Sequence, residues 1–468
     1  MARLSTSPKI LIVLGCLCAG GTTLPPRGVA ADEARTADAP STAVELTLPQ
    51  AIEIAFKQNV DITLAIKNIE NFESFYWQAF SGALPHITLT GTYTRNIKKP
   101  VIFFGGESMT IGEDHSLEGT ATAEQALYTG GKVHTALHAA DKQRQAGYHL
   151  LKGTEDEVLF AVKRLFYACL LARDTVAIQQ DNLNSAEDHL KTIRERFQQG
   201  LDSDLTLRRQ EVDVAEAKVA LIQAQNLYDV TLMSFQELLA LDVDAPLRLN
   251  GKLATPDATS ITYDSCVQKA LRLRPELQAA RKNTQIYEDL IDIAKSDYKP
   301  TLGLFATYDW TAQYQHWPPK DAEKASSIFG GLRLQHSLFS GGETWQRVRQ
   351  ARIQHERVKE EEARLERSVR VQVKREWLAV AEAIQRAQAE EAAVGQARMT
   401  LEATESRYRS GQSNQLELLD ATVALNRTRT MFSKASHDFW VSQAALERAI
   451  GTPSNENPNT NRFREEEK

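Results

Sequence analysis

The stretch Ala126–Val133, ALYTGGKV, recurs 211 residues later as Ser337–Thr344, SLFSGGET. Before each pair of glycines the residues alternate apolar and polar with a period of two; after it, apolar residues return every three or four positions. A strand that enters a Gly-Gly turn and leaves as a long helix is therefore written twice in one chain. Further out, RFQQG at Arg196–Gly200 matches RYRSG at Arg407–Gly411 at the same spacing. Upstream, Leu46-Thr47-Leu48, Ala55, Phe72 and Pro85 match Ile261-Thr262-Tyr263, Ala270, Tyr287 and Pro300 at a spacing of 215, so four residues are lost within one loop. A repeat of this length is too long for a solenoid and indicates a duplicated half: residues 46–250 and 251–451, followed by a polar tail at 452–468.

Four segments carry the two-residue alternation: 85–96, 116–128, 301–310 and 327–339, forming two hairpins. In the first segment Ile87, Leu89, Gly91 and Tyr93 share one face and His86, Thr88, Thr90, Thr92 and Thr94 the other. In the third, Leu302, Leu304, Ala306, Tyr308 and Trp310 lie opposite Thr301, Gly303, Thr307 and Asp309. One face suits lipid and the other water, although a soluble sandwich shows the same alternation. Each segment has about the 9 to 11 residues that cross a bilayer at a tilt, and Tyr93, Tyr308 and Trp310 stand where an interfacial aromatic girdle belongs. Four membrane strands cannot close a barrel alone, because a spanning sheet must leave no edge. Two copies would give about eight strands that side chains nearly fill; three would give about twelve, with room for a pore. The loops 97–115 and 311–326, with Gly105-Gly106 and Pro318-Pro319, are expected to face outward.

The helical patterns after the turns run from about 132 to 199 and from 344 to 410, each reaching about 100 Å at ~1.5 Å per residue. Val162, Leu165, Cys169, Ala172, Val176, Leu183, Ala186, Leu190, Ile193 and Phe197 form a heptad seam with one polar break at Gln179. Val373, Val380, Ala387, Val394, Leu401 and Tyr408 repeat it. Gly200 and Gly411 end these helices, and return helices to about 241 and 450 complete two long hairpins, 132–241 and 344–450. Shorter helices precede the strands, each expected in two pieces, broken at Asn59 and Pro275.

The chain of 468 residues is 42% hydrophobic and 25% charged, a length that ordinarily suggests about three domains; the duplication favours one architecture in two halves. Residues 1–31 read as a secretory signal, with Arg3 and Lys9 before an apolar stretch and small residues at Gly28–Ala31. A lipoprotein reading at Cys16 leaves an apolar core of only Ile10–Gly15. Loss of Arg3, Lys9 and Arg27 with the leader takes the formal charge from −6 to −9, and no basic block suited to nucleic acid remains. Cys169 and Cys266 lack the spacing of a metal or redox site, and Cys169 falls on the seam as a small core residue. The exported chain has no transmembrane helix: its most apolar run, Leu165–Ala172, is bounded by Arg164 and Arg173.

LTLPQAIEIAFKQN opening the first half, a proline before each first hairpin, LYTGG and LFSGG, and RYRSGQSNQLELLDAT at the second tip, duplicated in order, resemble the TolC family of outer-membrane efflux proteins. The resemblance spans nearly the whole exported chain. It implies an α+β membrane protein: a homotrimer with a twelve-stranded β-barrel among the lipids of the outer membrane of a Gram-negative bacterium, continuing into an α-helical periplasmic tunnel. It further implies a passive exit duct that works with a periplasmic adaptor and an inner-membrane transporter; the chain has no GxxxxGK[ST] loop of its own to power transport. Type I protein secretion uses similar barrels, and a periplasmic coiled-coil tether would keep the hairpins without the barrel.

Glu417 and Asp420, three apart on one helical face, align with the family's acidic positions at the periplasmic entrance, so three copies would stack two acidic rings; the alternative is an ordinary solvated face. The first half has Thr206 and Arg209 there. Tyr408 matches a tyrosine that latches the closed entrance in some relatives, but Ser413 and Leu205-Thr206 depart from the family's neighbouring positions, and core packing is the competing role. The tips Gly200-Leu201-Asp202-Ser203 and Gly411-Gln412-Ser413-Asn414 are the expected adaptor contacts. His134 and His138 have an i, i+4 spacing without a third ligand, and no catalytic constellation or cofactor motif stands out, so no enzyme activity is expected.

Overall fold

A computed structural model describes residues 44–200, 202–253, 262–316 and 323–451. The leader at 1–31 with Cys16, Leu201, Ile261, Pro318-Pro319 and the tail at 452–468 lie outside the described residues.

Strand β1 (Val44–Leu46) leads into helix α1 (Leu48–Gln58), whose start is tied by the Thr47 N–H donating to Gln50 Oε1 at 2.9 Å. Asn59 breaks the helix and caps its continuation, α2 (Val60–Ser81), by accepting from the Asp61 N–H. After Pro85 come β2 (His86–Arg95), a short hairpin of β3 (Val101–Phe104) and β4 (Glu107–Thr110), and β5 (His115–Tyr128). Gly130 and Gly131, at φ 67° and 93°, turn the chain into α3 (Lys132–Gln198), 67 residues long and so about 100 Å. Gly200 (φ 75°) reverses it, and α4 (Asp204–Leu238) returns to β6 (Leu247–Leu249), which pairs in parallel with β1.

The second half repeats the first with its own chemistry. Helix α5 (Tyr263–Leu273) gives way to α6 (Pro275–Ser296), with proline at the first helical position, where a missing N–H leaves no bond unmade. Then follow β7 (Thr301–Tyr314), β8 (Glu323–Gln335), the turn at Gly341-Gly342, α7 (Glu343–Arg409), again of 67 residues, and α8 (Gln415–Ile450) after the reversal at Gly411. The duplication reaches the core. Ala51, Ala55, Val158, Val162, Phe235 and Leu239 pack together where α1 docks midway along α3. Their counterparts Cys266, Ala270, Val369, Val373, Leu446 and Ile450 pack where α5 docks on α7. Along the seam Val162, Cys169, Ala172, Leu183 and Ile193 are buried, and packing loosens toward the tip, where Phe197 is 38% exposed.

The four long strands form one antiparallel sheet in the order β2-β5-β7-β8, leaving β2 and β8 as open edges among the described residues. Three ranges read from the sequence change. Strand β7 continues past residue 310 to Tyr314, paired with β5 as far as His115. Strand β8 spans Glu323–Gln335 rather than 327–339, because its partner begins at Thr301 after Pro300, which has no N–H to extend the ladder past Gln335. The expected loop 97–115 contains the β3–β4 hairpin, turned by Gly105 and Gly106 at φ 65° and 93°.

Candidate functional site

Pairing puts directly opposed residues on the same face of the sheet, so the rungs define both faces without reference to the protein's surroundings. Leu89, Ala121, Tyr308 and Ile328 form one rung, and Ile87, Ala123, Ala306 and Gly330 the next. Leu302 and Leu304 meet Leu334 and Leu332 on the same side. This face is apolar and, over most of its length, bare in the protomer: Leu89 and Ile328 are each 80% exposed, whereas Ala312 and Tyr314 at the far end are buried. The opposite face carries Thr88, Thr90, Thr120, Thr122 and Asp309, with Thr120 donating to Asp309 Oδ1 at 2.9 Å. There too Arg333 lies 3.3 Å from Glu124 and 4.7 Å over the Phe305 ring.

Of the expected interface aromatics, Tyr93 and Trp310 stand toward the end of the sheet far from the helices, whereas Tyr308 faces Ala121 and Ile328 nearer mid-strand. The far end also holds a cluster the sequence reading passed over. The His115 ring stacks on Tyr93 and on Tyr314, centroids 5.9 and 5.2 Å apart, and its Nδ1 lies 2.7 Å from the Tyr93 hydroxyl. Continued alternation through Thr311–Tyr314 was the available signal.

At the other extreme are the helical tips. Ser203 caps α4 by accepting from the Thr206 N–H at 3.2 Å, and Asn414 caps α8 by accepting from the Glu417 N–H at 2.9 Å. Ser413 Oγ donates to Glu417 Oε2 at 2.5 Å and Asn414 Nδ2 to Oε1 at 3.3 Å, so Glu417 completes its own helix cap, while Asp420 is exposed one turn on. Asp202 is held by Arg196 at 2.9 Å. The same Arg196 lies 5.8 Å over the Tyr408 ring, so Tyr408 ties the end of α7 to α3 of the other hairpin. Burial pushes its phenol pKa up, opposed by the Arg196 charge.

Further polar contacts, unread in the sequence, run up this junction. Buried Gln210 donates to Ala186 O at 3.1 Å and accepts from Gln415 Nε2 at 3.1 Å. Asn426 donates to Asn182 at 2.6 Å, and Arg429 pairs with Asp181 at 3.0 Å. Between the hairpins lies a cavity of about 400 Å³ lined by His189, Gln210, Asp213, Tyr408 and Leu418. His134 and His138 pack edge to face at 4.6 Å, and among the described residues no group of three or more His, Cys, Asp or Glu side chains is placed to hold a metal. Cys169 is a buried core thiol, its pKa pushed up to about 12 by desolvation.

A family model described as outer membrane efflux protein matches residues 51–241 and 266–452. Outer membrane protein TolC of Vibrio cholerae serotype O1 is 23% identical over 375 residues, covering 80% of this chain and 83% of that protein. Alkaline protease secretion protein AprF of Pseudomonas aeruginosa is 24% identical over 301 residues, covering 63% and 61%. The crystal structure of the Campylobacter jejuni CmeC outer membrane channel superposes with a TM-score of 0.74 at 16% identity, covering 90% of this chain and 89% of that one. At that identity the likeness is one of fold.

Proposed function

Because this chain belongs to the outer membrane efflux protein family, whose model matches both of its repeats, we propose that it is the outer-membrane exit duct of a tripartite efflux system, passively conducting small molecules from a periplasmic adaptor and inner-membrane transporter to the exterior. The observation that carries this reading is the sheet: four strands with one largely bare apolar face, one polar face and two open edges, leading into helices of 67 residues. No helix among the described residues is long and apolar enough to cross a membrane, and the span falls to the strands. Three copies joined edge to edge close about twelve strands around a polar lumen and leave no edge in lipid.

Each long helix leaves the sheet at one end and reverses at the other, and the tips there, Gly200–Ser203 and Gly411–Asn414, are the adaptor contacts in this reading. Glu417 and Asp420 then recur three times around the entrance as two acidic rings, which attract cations and oppose closure by mutual repulsion. Tyr408 acts by packing beneath Arg196, holding the two hairpins of a protomer together at the entrance. Likeness to a protein named for alkaline protease secretion favours a second cargo class, exported protein, through the same duct.

Crosslinking in cells from Ser203→Cys and Ser413→Cys, with mass spectrometry of what is captured, tests this. The adaptor of a small-molecule pump is the expected catch. The adaptor of a protein-exporting ATPase would instead establish the secretion reading. Capture of neither, with the protein abundant, contradicts the duct and leaves a periplasmic tether.

A further inference from the structure

The apolar face of the sheet is not symmetric along the strands. Among the described residues, its formal charges are Arg95 and Lys324, both positive and both in the two rungs farthest from the helices. Arg95 opposes His115, which opposes Tyr314; one rung inward, Tyr93, Leu117, Ala312 and Lys324 stand in line. The acids of the sheet, Glu118, Glu124, Asp309 and Glu323, all fall on the opposite face. Both cations are exposed and neither has an ion-pair partner among the described residues, whereas Arg333 on the polar face pairs with Glu124 and Lys99 in the adjoining loop with Asp114. At its helix-proximal end the same face ends in Tyr128, Leu302 and Leu334, without charge.

A charge facing hydrocarbon costs about 2–4 kcal/mol at mid-membrane and close to nothing at the interface, so the position of Arg95 and Lys324 marks the head-group level. Snorkelling alone would not sort both cations to one end. A leaflet whose lipids are the more strongly anionic on that side would, because guanidinium and ammonium groups are drawn to net negative surface charge and donate charge-assisted hydrogen bonds to phosphate oxygens. The Tyr93 ring, exposed, and the half-buried His115 ring stacked on it supply polar edges and a flat apolar support beside Arg95, while Tyr314, stacked on the other side of His115, is buried. We propose that Arg95 and Lys324, with Tyr93 and His115, form a collar that binds the phosphates of the outer-leaflet glycolipid, lipid A. The proposal rests on the outer-membrane reading above. Because Arg95 lies on the β2 edge and Lys324 on the β8 edge, barrel closure places the two cations on either side of each seam between copies.

The test uses full-length protein extracted from outer membranes, delipidated, and titrated with diphosphoryl lipid A under native mass spectrometry. The Arg95→Gln/Lys324→Gln variant should retain this lipid about tenfold less than wild type. Arg333→Gln, which removes a cation from the polar face, should retain it fully, and lipid A stripped of phosphate should bind wild type and the double variant equally weakly. Equal retention of diphosphoryl lipid A by wild type and the double variant overturns the collar, as does undiminished binding of the phosphate-free lipid to wild type. Wild-type protein absent from the outer-membrane fraction would overturn the outer-membrane reading as well; failure of the collar alone leaves an assembled, conducting protein in that fraction.

Discussion

A Cβ on Gly130 would stand 2.7 Å from the carbonyl oxygen of Ser296 and 3.1 Å from Lys299 Cβ, at φ 67°. Gly341 holds the same place in the second half at φ 63°, with nothing within 4 Å. Left-handed backbone disfavours alanine at both, but only the first also meets a backbone carbonyl. Gly130→Ala should therefore lower thermal stability more than Gly341→Ala, by about 1–3 kcal/mol, and equal losses in a melting experiment would refute the steric argument. Asp156 on α3 is a second local case. Burial raises its carboxyl to about 7, opposed by Lys152 and Arg448 and reinforced by Glu155 and Glu276, and its Oδ2 has no hydrogen-bond partner. A folded pKa above the unfolded one favours the fold fully below about pH 4, and that contribution is lost as pH rises through 7. Asp156→Asn should accordingly stabilise the protein more at pH 8 than at pH 5, by on the order of 2 kcal/mol; a gain independent of pH would assign the effect to something other than this proton. At the tip, Glu417→Ala with Asp420→Ala should weaken block of single-channel current by divalent cations. Glu417→Gln with Asp420→Asn, which keeps side chains able to accept from Ser413 and Asn414, should do the same, and unchanged block in both returns these residues to a capped, solvated helix face.

Individual elements differ in how far their sequence announces them. The long helices, their breaks at Asn59 and Pro275 and their reversals at Gly200 and Gly411 follow from periodicity and backbone chemistry within a few residues of each position. The end of β8 does not, because Leu338 and Phe339 continue an apolar alternation while the ladder is terminated by a proline on the neighbouring strand. The β3–β4 hairpin was legible only as Gly105-Gly106 between two short runs, a two-residue turn signature easily taken for part of a loop. Contacts such as Arg196 with Tyr408 or Gln210 with Gln415 join different hairpins, and periodicity within one helix carries no information about which helix lies beside it. What alternation does determine is sidedness, and this can be tested. Leu89→Arg, on the apolar face, should cost about 2–4 kcal/mol near mid-membrane and deplete assembled protein from the outer membrane. Thr90→Arg, one residue away on the polar face, should assemble normally. Equal tolerance of both would show that the face read as lipid-exposed is not.

At the scale of the whole molecule, the protomer is incomplete in one specific way. Among the described residues its sheet is largely bare on one side and open at both edges, while its helices have internal cores where α1 and α5 dock. Association along the edges covers no apolar face; it closes the sheet and leaves lipid to cover the face, which is why a membrane-spanning oligomer accounts for the structure better than a soluble bundle does. The measurement that bears most directly on this is single-channel recording in planar bilayers, using detergent-purified particles whose mass has been determined. The account predicts particles of three chains that insert and produce discrete conductance steps. A protein recovered as a soluble monomer, giving no conductance at any concentration, would contradict it.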